Sequence, residues 1–280
     1  MNGILLINKP ENMTSFDVVA IARKALAIKK IGHTGTLDPN ATGVLVLLIN
    51  KATKILPYID KVDKTYLVRL KLGYCTDTYD IWGETLQNKA TTQHTDEEII
   101  TVLNSFLGVS KQKPPIYSAL KVKGKKLYEY ARANQTVEIK ERDITIYNIE
   151  FLVYQNDEIE FRVKCSSGTY IRSLCVDIAS KLSELACMSS LSREQVGNYT
   201  LEDCYSINDL KAANFELISI ETALENYQII EVTDPVNIYH GKPLSINTNN
   251  DIVMIKNCGK IIACYQRKDG NTFTSKRGFW

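Results

Sequence analysis

The sequence predicts an α+β fold: a mixed or antiparallel central sheet flanked by helices, followed by a small β domain. Three observations carry that prediction. Apolar alternation of period two recurs at Lys64–Leu72, Ile144–Val153 and Ile159–Cys165, the mark of half-buried strands. Segments with helical spacing and recognisable caps are interleaved with these strands. Beyond about Glu225 the chain breaks into short apolar pieces separated by turn residues.

The elements follow in order. Gly3–Asn8 reads as a strand closed by Lys9-Pro10. The next helix takes Thr14 or Ser15 as its cap and Asp17 in its first turn, where a carboxylate meets the positive end of the helix dipole. Val18, Ile21, Ala22, Ala25 and Leu26 fall at i, i+3, i+4, i+7 and i+8, one apolar stripe. Gly32 to Gly43 reads as a loop rich in Gly, Thr, Asp and Pro, leading into Val44–Ile49, an apolar run that suits a strand buried on both faces. In Lys64–Leu72 the side chains of Tyr66, Val68, Leu70 and Leu72 share one face, and Arg69 and Lys71 the other. Thr95-x-x-Glu98 is a capping box that opens a helix, with Gly108 expected to close it. Ile144–Val153 slips phase near Tyr147-Asn148, as at a β-bulge. After Ser166-Ser167-Gly168-Thr169, a helix places Ile171, Leu174, Cys175, Ile178 and Leu182 on one side. The late pieces Ile229–Val232, Ile252–Ile255 and Ile261–Tyr265 suggest a small β-barrel.

Composition narrows the function. The 280 residues are enough for one large domain, or a large one with a small one. With 44% hydrophobic and 24% charged residues, the chain is of ordinary globular type, which excludes a disordered or collagen-like protein. No apolar run approaches the roughly 18 residues of a membrane span. The start, Met1 to Leu5, lacks the features of a secretory signal, so a cytoplasmic location is expected. Seven cysteines with no Cys-x-x-Cys pair argue against zinc and for thiols in a reducing compartment. The formal net charge of +2 is nearly neutral, but its distribution is uneven. Val18 to Leu37 holds Arg23, Lys24, Lys29, Lys30 and His33 and no acid. Lys111 to Lys126 holds six lysines and no acid, with Tyr117 inside and Tyr128 just beyond. Such stretches suit a phosphate backbone and unstacked bases, and equally a solvated surface.

The most informative segment is Gly32-His33-Thr34-Gly35-Thr36-Leu37-Asp38-Pro39-Asn40-Ala41-Thr42-Gly43. Its glycines permit tight turns, and Pro39 restricts the backbone of Asp38. A reactive carboxylate on a stiff loop at the edge of a core is one reading; a turn-initiating Asp-Pro is the other. The segment is not a phosphate-binding P-loop, because no Gly-Lys-Ser/Thr follows.

The segment resembles the catalytic motif of the TruB family of pseudouridine synthases, in which the aspartate before the proline is essential. Other pieces match the family's motifs in order: Asn8-Lys9-Pro10 with Thr14-Ser15, Lys64-Thr65-Tyr66, Thr76-Asp77-Thr78-Tyr79-Asp80, Pro114 to Lys121, Gly168-Thr169-Tyr170-Ile171-Arg172, and Leu191-Ser192-Arg193. The resemblance covers roughly residues 3 to 200 and looks like the bacterial branch of the family. It implies a catalytic domain over residues 1–225, with an RNA-gripping insertion at about 111–142, and a PUA-like RNA-binding β domain over 226–280. It implies conversion of a uridine in the T-loop of tRNA, at position 55, to pseudouridine, with the target base flipped out of its stack.

The roles come with the resemblance. Asp38 acts at the ribose of the target uridine, either attacking C1′ or taking the C2′ proton. Tyr66 stacks on the base and lies near the C5 proton. Arg172 falls in the first turn of its helix, where a cation gains nothing from the helix dipole, so a carboxylate or phosphate is expected nearby; the resemblance makes Asp38 its partner. His33, Tyr170, Leu191 and Asp80 are carried over as RNA or pocket contacts. Lys121, Lys123, Lys125 and Lys126 are expected to grip the backbone of the T-arm and make binding salt-dependent. No cofactor and no metal are implied, since no redox step or group transfer to a second molecule occurs. A monomer that needs no protein partner is expected. The sequence departs from the family's pattern at Ile81-Trp82, where small or acidic residues are usual. Two other functions fit the same motifs: a pseudouridine synthase for another RNA, and an RNA chaperone that assists tRNA folding.

Overall fold

Gly3–Lys9 is a strand and Ser15–Leu26 a helix. Thr14 caps the helix: its hydroxyl accepts from the Asp17 amide, and the Asp17 carboxylate accepts from the Thr14 amide and hydroxyl. Two backbone donors that helix geometry leaves free are thereby satisfied, and the same bonds hold Asp17 below the ordinary carboxylate pKa. The buried face is Val18, Val19 and Ala22, whereas Ala25 is exposed, so the stripe is shorter and turned toward Val19 relative to the spacing. The expected loop from Gly32 to Gly43 is also shorter. Ile31–Thr34 is a strand, antiparallel to the last four residues of the strand Thr42–Ile49. Leu5, Ile7, Val18, Leu45, Leu47 and Leu210 share one core with these elements.

The structure, a computed structural model, describes all 280 residues and falls into two compact units. The first holds Met1–Pro39, Val44–Lys61 and Glu202–Trp280; the second holds Asn40–Gly43 and Val62–Leu201. In the first unit the late strands form one five-stranded sheet. Its order is Gln228–Glu231, Ile252–Asn257, Lys260–Asp269, Thr272–Gly278, Leu244–Ser245, around Val253, Ile255, Tyr265 and Phe273. This is the small β domain that the short-strand spacing predicts.

The second unit is built on an antiparallel run: Ala186–Val196, Lys64–Leu72, Glu158–Cys165, Arg142–Gln155, Gly108–Gln112. Thr42 and Gly43 lie parallel to Ser192 and Arg193, which makes the sheet mixed. The phase slip near Tyr147 is a register shift between Ile146 and Asn148. Gly108 does not close the preceding helix. Asp96–Asn104, capped by Thr95 as expected, ends at Ser105, and Gly108 opens a strand with a φ of 94°. The helix Ile171–Lys181 packs on Lys64–Leu72 and Ala186–Val196, burying Ile171, Leu174, Cys175 and Ile178. Full burial of each aliphatic side chain contributes roughly 1.5–3 kcal/mol.

One buried charge cluster belongs to this unit. The Glu184 carboxylate, with 1% of its side chain exposed, accepts from the Thr92 amide at 2.9 Å and faces Lys89 Nζ at 3.1 Å and His94 Nε2 at 3.5 Å. Burial pushes its pKa up, but the Thr92 and Lys89 donors prevail and hold it below the usual value. No helix is long and apolar enough to cross a membrane.

Candidate functional site

Asp38, half-buried, lies in the first unit on a loop pinned on both sides. On one side Leu37 is buried. Its amide donates to Ser15 Oγ at 2.9 Å, and Ser15 Oγ donates back to the Leu37 carbonyl at 3.1 Å. On the other, the Pro39 carbonyl accepts from Lys9 Nζ at 2.9 Å and from the Met13 amide at 3.2 Å. Lys9 is fully buried and also donates to the carbonyls of Pro10, at 2.8 Å, and Met13, at 2.6 Å. The residue before Asp38 and the residue after it are thus fixed. That arrangement preorganises a reactive group.

His33 stands on the Ile31–Thr34 strand in the same unit, opposite Leu47. Phe16, 66% exposed, meets it edge-on with ring centroids 6.3 Å apart. An aromatic pair beside a basic helix is a surface on which bases can stack.

The second unit holds Tyr66 and Leu191 on adjacent strands, and Arg172, Asp80 and Tyr170 around the start of one helix. Tyr66 pairs with Arg193 across the sheet, and Leu191 with Val68, so all four side chains point to one face. Tyr66 and Leu191 are each 7% exposed. Arg172, 8% exposed, donates from Nη1 to the Thr78 carbonyl at 2.8 Å and from Nη2 to the Tyr117 carbonyl at 2.9 Å. Its Nη1 also lies 3.5 Å from Asp80 Oδ2. Within this unit the carboxylate beside the cation at the helix start is that of Asp80. Tyr170 is the N-cap residue of the same helix, and its backbone exchanges two hydrogen bonds with the Gln112 side chain, at 2.8 and 3.0 Å.

Lys121-Val122 and Lys125-Lys126 form a two-stranded hairpin, closed by Lys123 and Gly124 with φ of 49° and 86°. Positive φ at both central residues matches the twist of the strands. Lys121, Lys123 and Lys125 are exposed, while Lys126 is half-buried with its ammonium 5.3 Å from the Tyr128 ring.

Sequence reasoning gave no role to three residues that the structure makes prominent. Lys9 was visible as part of Asn8-Lys9-Pro10, but not as the donor to the Asp38 loop. Arg193, 1% exposed, is the largest fully buried side chain, and nothing in the spacing around Leu191 marks it as interior. Gly43 has a φ of 106°, and a Cβ there would overlap the backbone of Arg193.

Residues 23–171 match the family described as "TruB family pseudouridylate synthase (N terminal domain)". The tRNA pseudouridine synthase B of Mesoplasma florum is 41% identical over 279 residues, 99% of this chain and 98% of that protein. That of Clostridium perfringens is 50% identical over 237 residues, 84% of this chain and 81% of that protein. Among solved structures, a chain of the Cbf5-Nop10-Gar1 complex superposes with a TM-score of 0.75 at 24% identity, covering 99% of this chain and 85% of its own; the fold is shared.

Proposed function

The chain belongs to the TruB family of pseudouridylate synthases and is a tRNA-modifying isomerase; we propose that its target is the uridine at position 55 in the T-loop. The observation that carries this reading is the Asp38 loop, pinned at Leu37 and at Pro39 so that one carboxylate is presented in a fixed place.

The target base leaves its stack, at a cost of a few kcal/mol, so that the ribose becomes reachable. Asp38 then acts at the ribose, at C1′ or through the C2′ proton, and the glycosidic bond to N1 breaks. The freed uracil turns and rejoins through C5, and the C5 proton is released. Tyr66 stacks on the base during this exchange. A phenol is a poor base, with a reference pKa of about 10, so stacking is the role assigned to Tyr66. Arg172 supplies the cation that the chemistry of an ionised carboxylate calls for. Tyr170 and Leu191 wall the uracil, His33 contacts displaced nucleotides, and Asp80 acts through Arg172. Lys121, Lys123, Lys125 and Lys126 grip the T-arm, and residues 226–280 serve as a PUA-like RNA-binding domain. The enzyme works as a cytoplasmic monomer without cofactor, metal or protein partner. Recognition is mainly by the shape of the folded arm.

The test uses an unmodified tRNA transcript tritiated at C5 of uridine. The native chain is expected to release tritium from the T-loop uridine alone, and Asp38→Asn to release it at least about a thousandfold more slowly. Release from other positions, or undiminished release by the variant, overturns the assignment. Acceleration of tRNA folding by the inactive variant would show a separable chaperone activity.

A further inference from the structure

Trp82 is a half-exposed indole, 50% accessible, on the turn that carries Asp80. Single exposed apolar residues are ordinary. Trp82 differs in how its backbone is held. Thr76 Oγ1 donates to the Asp80 carbonyl at 2.6 Å, and Thr78 Oγ1 to Asp80 Oδ1 at 2.8 Å. The Trp82 amide donates to that same Oδ1 at 3.2 Å, and the Ile81 amide to the Met188 carbonyl at 2.9 Å, which fastens the turn to the sheet. Tyr79 takes a left-handed φ of 64°, and Gly83 leaves no room for a side chain, because a Cβ would overlap Thr78 Oγ1 and Asp77 Oδ1. A side chain displayed on so constrained a turn loses little further backbone entropy on binding.

The turn holds the acids Asp77, Asp80 and Glu84 and is met by cationic and aromatic side chains from other segments. Arg172 reaches it through Thr78 and Asp80. Tyr117, from the lysine-rich segment, has its phenol pKa raised chiefly by the neighbouring Asp77. Arg132 lies 5.4 Å from the Tyr128 ring, with Lys126 5.3 Å from the same ring. Asp77 accepts from the Glu84 amide, and Asp80 accepts from Thr78 and the Trp82 amide and faces Arg172.

We propose that Trp82 is a substrate contact, its indole stacking on an unstacked nucleotide base beside the reacting uridine. The inference rests on the T-loop reading above. It gives a chemical purpose to Ile81-Trp82, the position where the sequence departs from the family's pattern. The occupant is RNA, since the chain modifies tRNA and an aromatic face accepts any base.

The chain has two tryptophans, so Trp280→Phe leaves Trp82 as the only indole. In that variant an unmodified T-arm hairpin is expected to quench the emission of Trp82 saturably. In the otherwise native chain, Trp82→Ala is expected to raise KM for tritium release about tenfold, with kcat within about twofold, and Trp82→Phe to restore KM to within about threefold. Emission that the hairpin leaves unchanged, or a native KM in Trp82→Ala, overturns the contact even when the native chain releases tritium normally. Saturable quenching in a chain that releases no tritium keeps the RNA contact and removes the assigned reaction instead.

Discussion

Lys9 is a charge inside a core, and burying an ammonium costs several kcal/mol unless donors and acceptors are matched. Here the three carbonyls of Pro10, Met13 and Pro39 surround it. Lys9→Met keeps the volume and removes the donors. The expected loss is about 2–4 kcal/mol in urea unfolding, accompanied by slower tritium release, because the Pro39 end of the Asp38 loop loses a tether. Native stability in this variant would mean that the carbonyls find other donors. Gly43 is the converse case, where adding one methyl group is the perturbation. Gly43→Ala combines a left-handed φ with overlap on the Arg193 backbone, so a loss of about 2–4 kcal/mol is expected by the same measurement. A milder loss would mean that the two strands part easily at that point.

Among the elements, the lysine hairpin makes the sharpest prediction. Replacing Lys121, Lys123, Lys125 and Lys126 by alanine is expected to flatten the dependence of log K on log salt for tRNA binding by about 3. An unchanged slope would remove the hairpin from the interface. Elements were legible in the sequence where one physical signal dominated. Lys64–Leu72 alternates because one face is buried, and Asp96–Asn104 is announced by its capping box. The strand Ala186–Val196 was not legible, though it joins the antiparallel run to Thr42-Gly43. Its sequence, Ala-Cys-Met-Ser-Ser-Leu-Ser-Arg-Glu-Gln-Val, lacks strict alternation, because two register shifts break its pairing with Lys64–Leu72. Gly108 misled for a related reason: positive φ serves a strand entry as well as a helix end. Of the candidate site, the motifs gave Asp38, Tyr66 and Arg172 in sequence order. The tethers from Lys9 and Ser15 lie in hydrogen bonds between distant residues, which no local pattern records.

At the scale of the whole molecule, the response to acid follows from Glu184. Its pKa is lower folded than unfolded, so its contribution is present above the unfolded carboxylate value and is lost as pH falls through the folded one. Glu184→Gln is expected to be less stable than the native chain at pH 7, by about 1–3 kcal/mol in urea unfolding, with the gap closing below about pH 4. A gap that stays constant with pH would assign the loss to packing and not to charge. The pairing of Thr42-Gly43 with Ser192-Arg193 has a further consequence, which concerns the order of synthesis. The strand that follows the Asp38 loop is completed by residues 150 positions later, and closing so long a loop costs about 4 kcal/mol of chain entropy. During translation at roughly 5–20 residues per second, the polypeptide therefore spends about 8–30 seconds with Asp38 made and Thr42-Gly43 still lacking the strand that pairs with them. A ribosome-bound chain arrested before Ala186 is a carrier of every amino-terminal motif and not yet an enzyme.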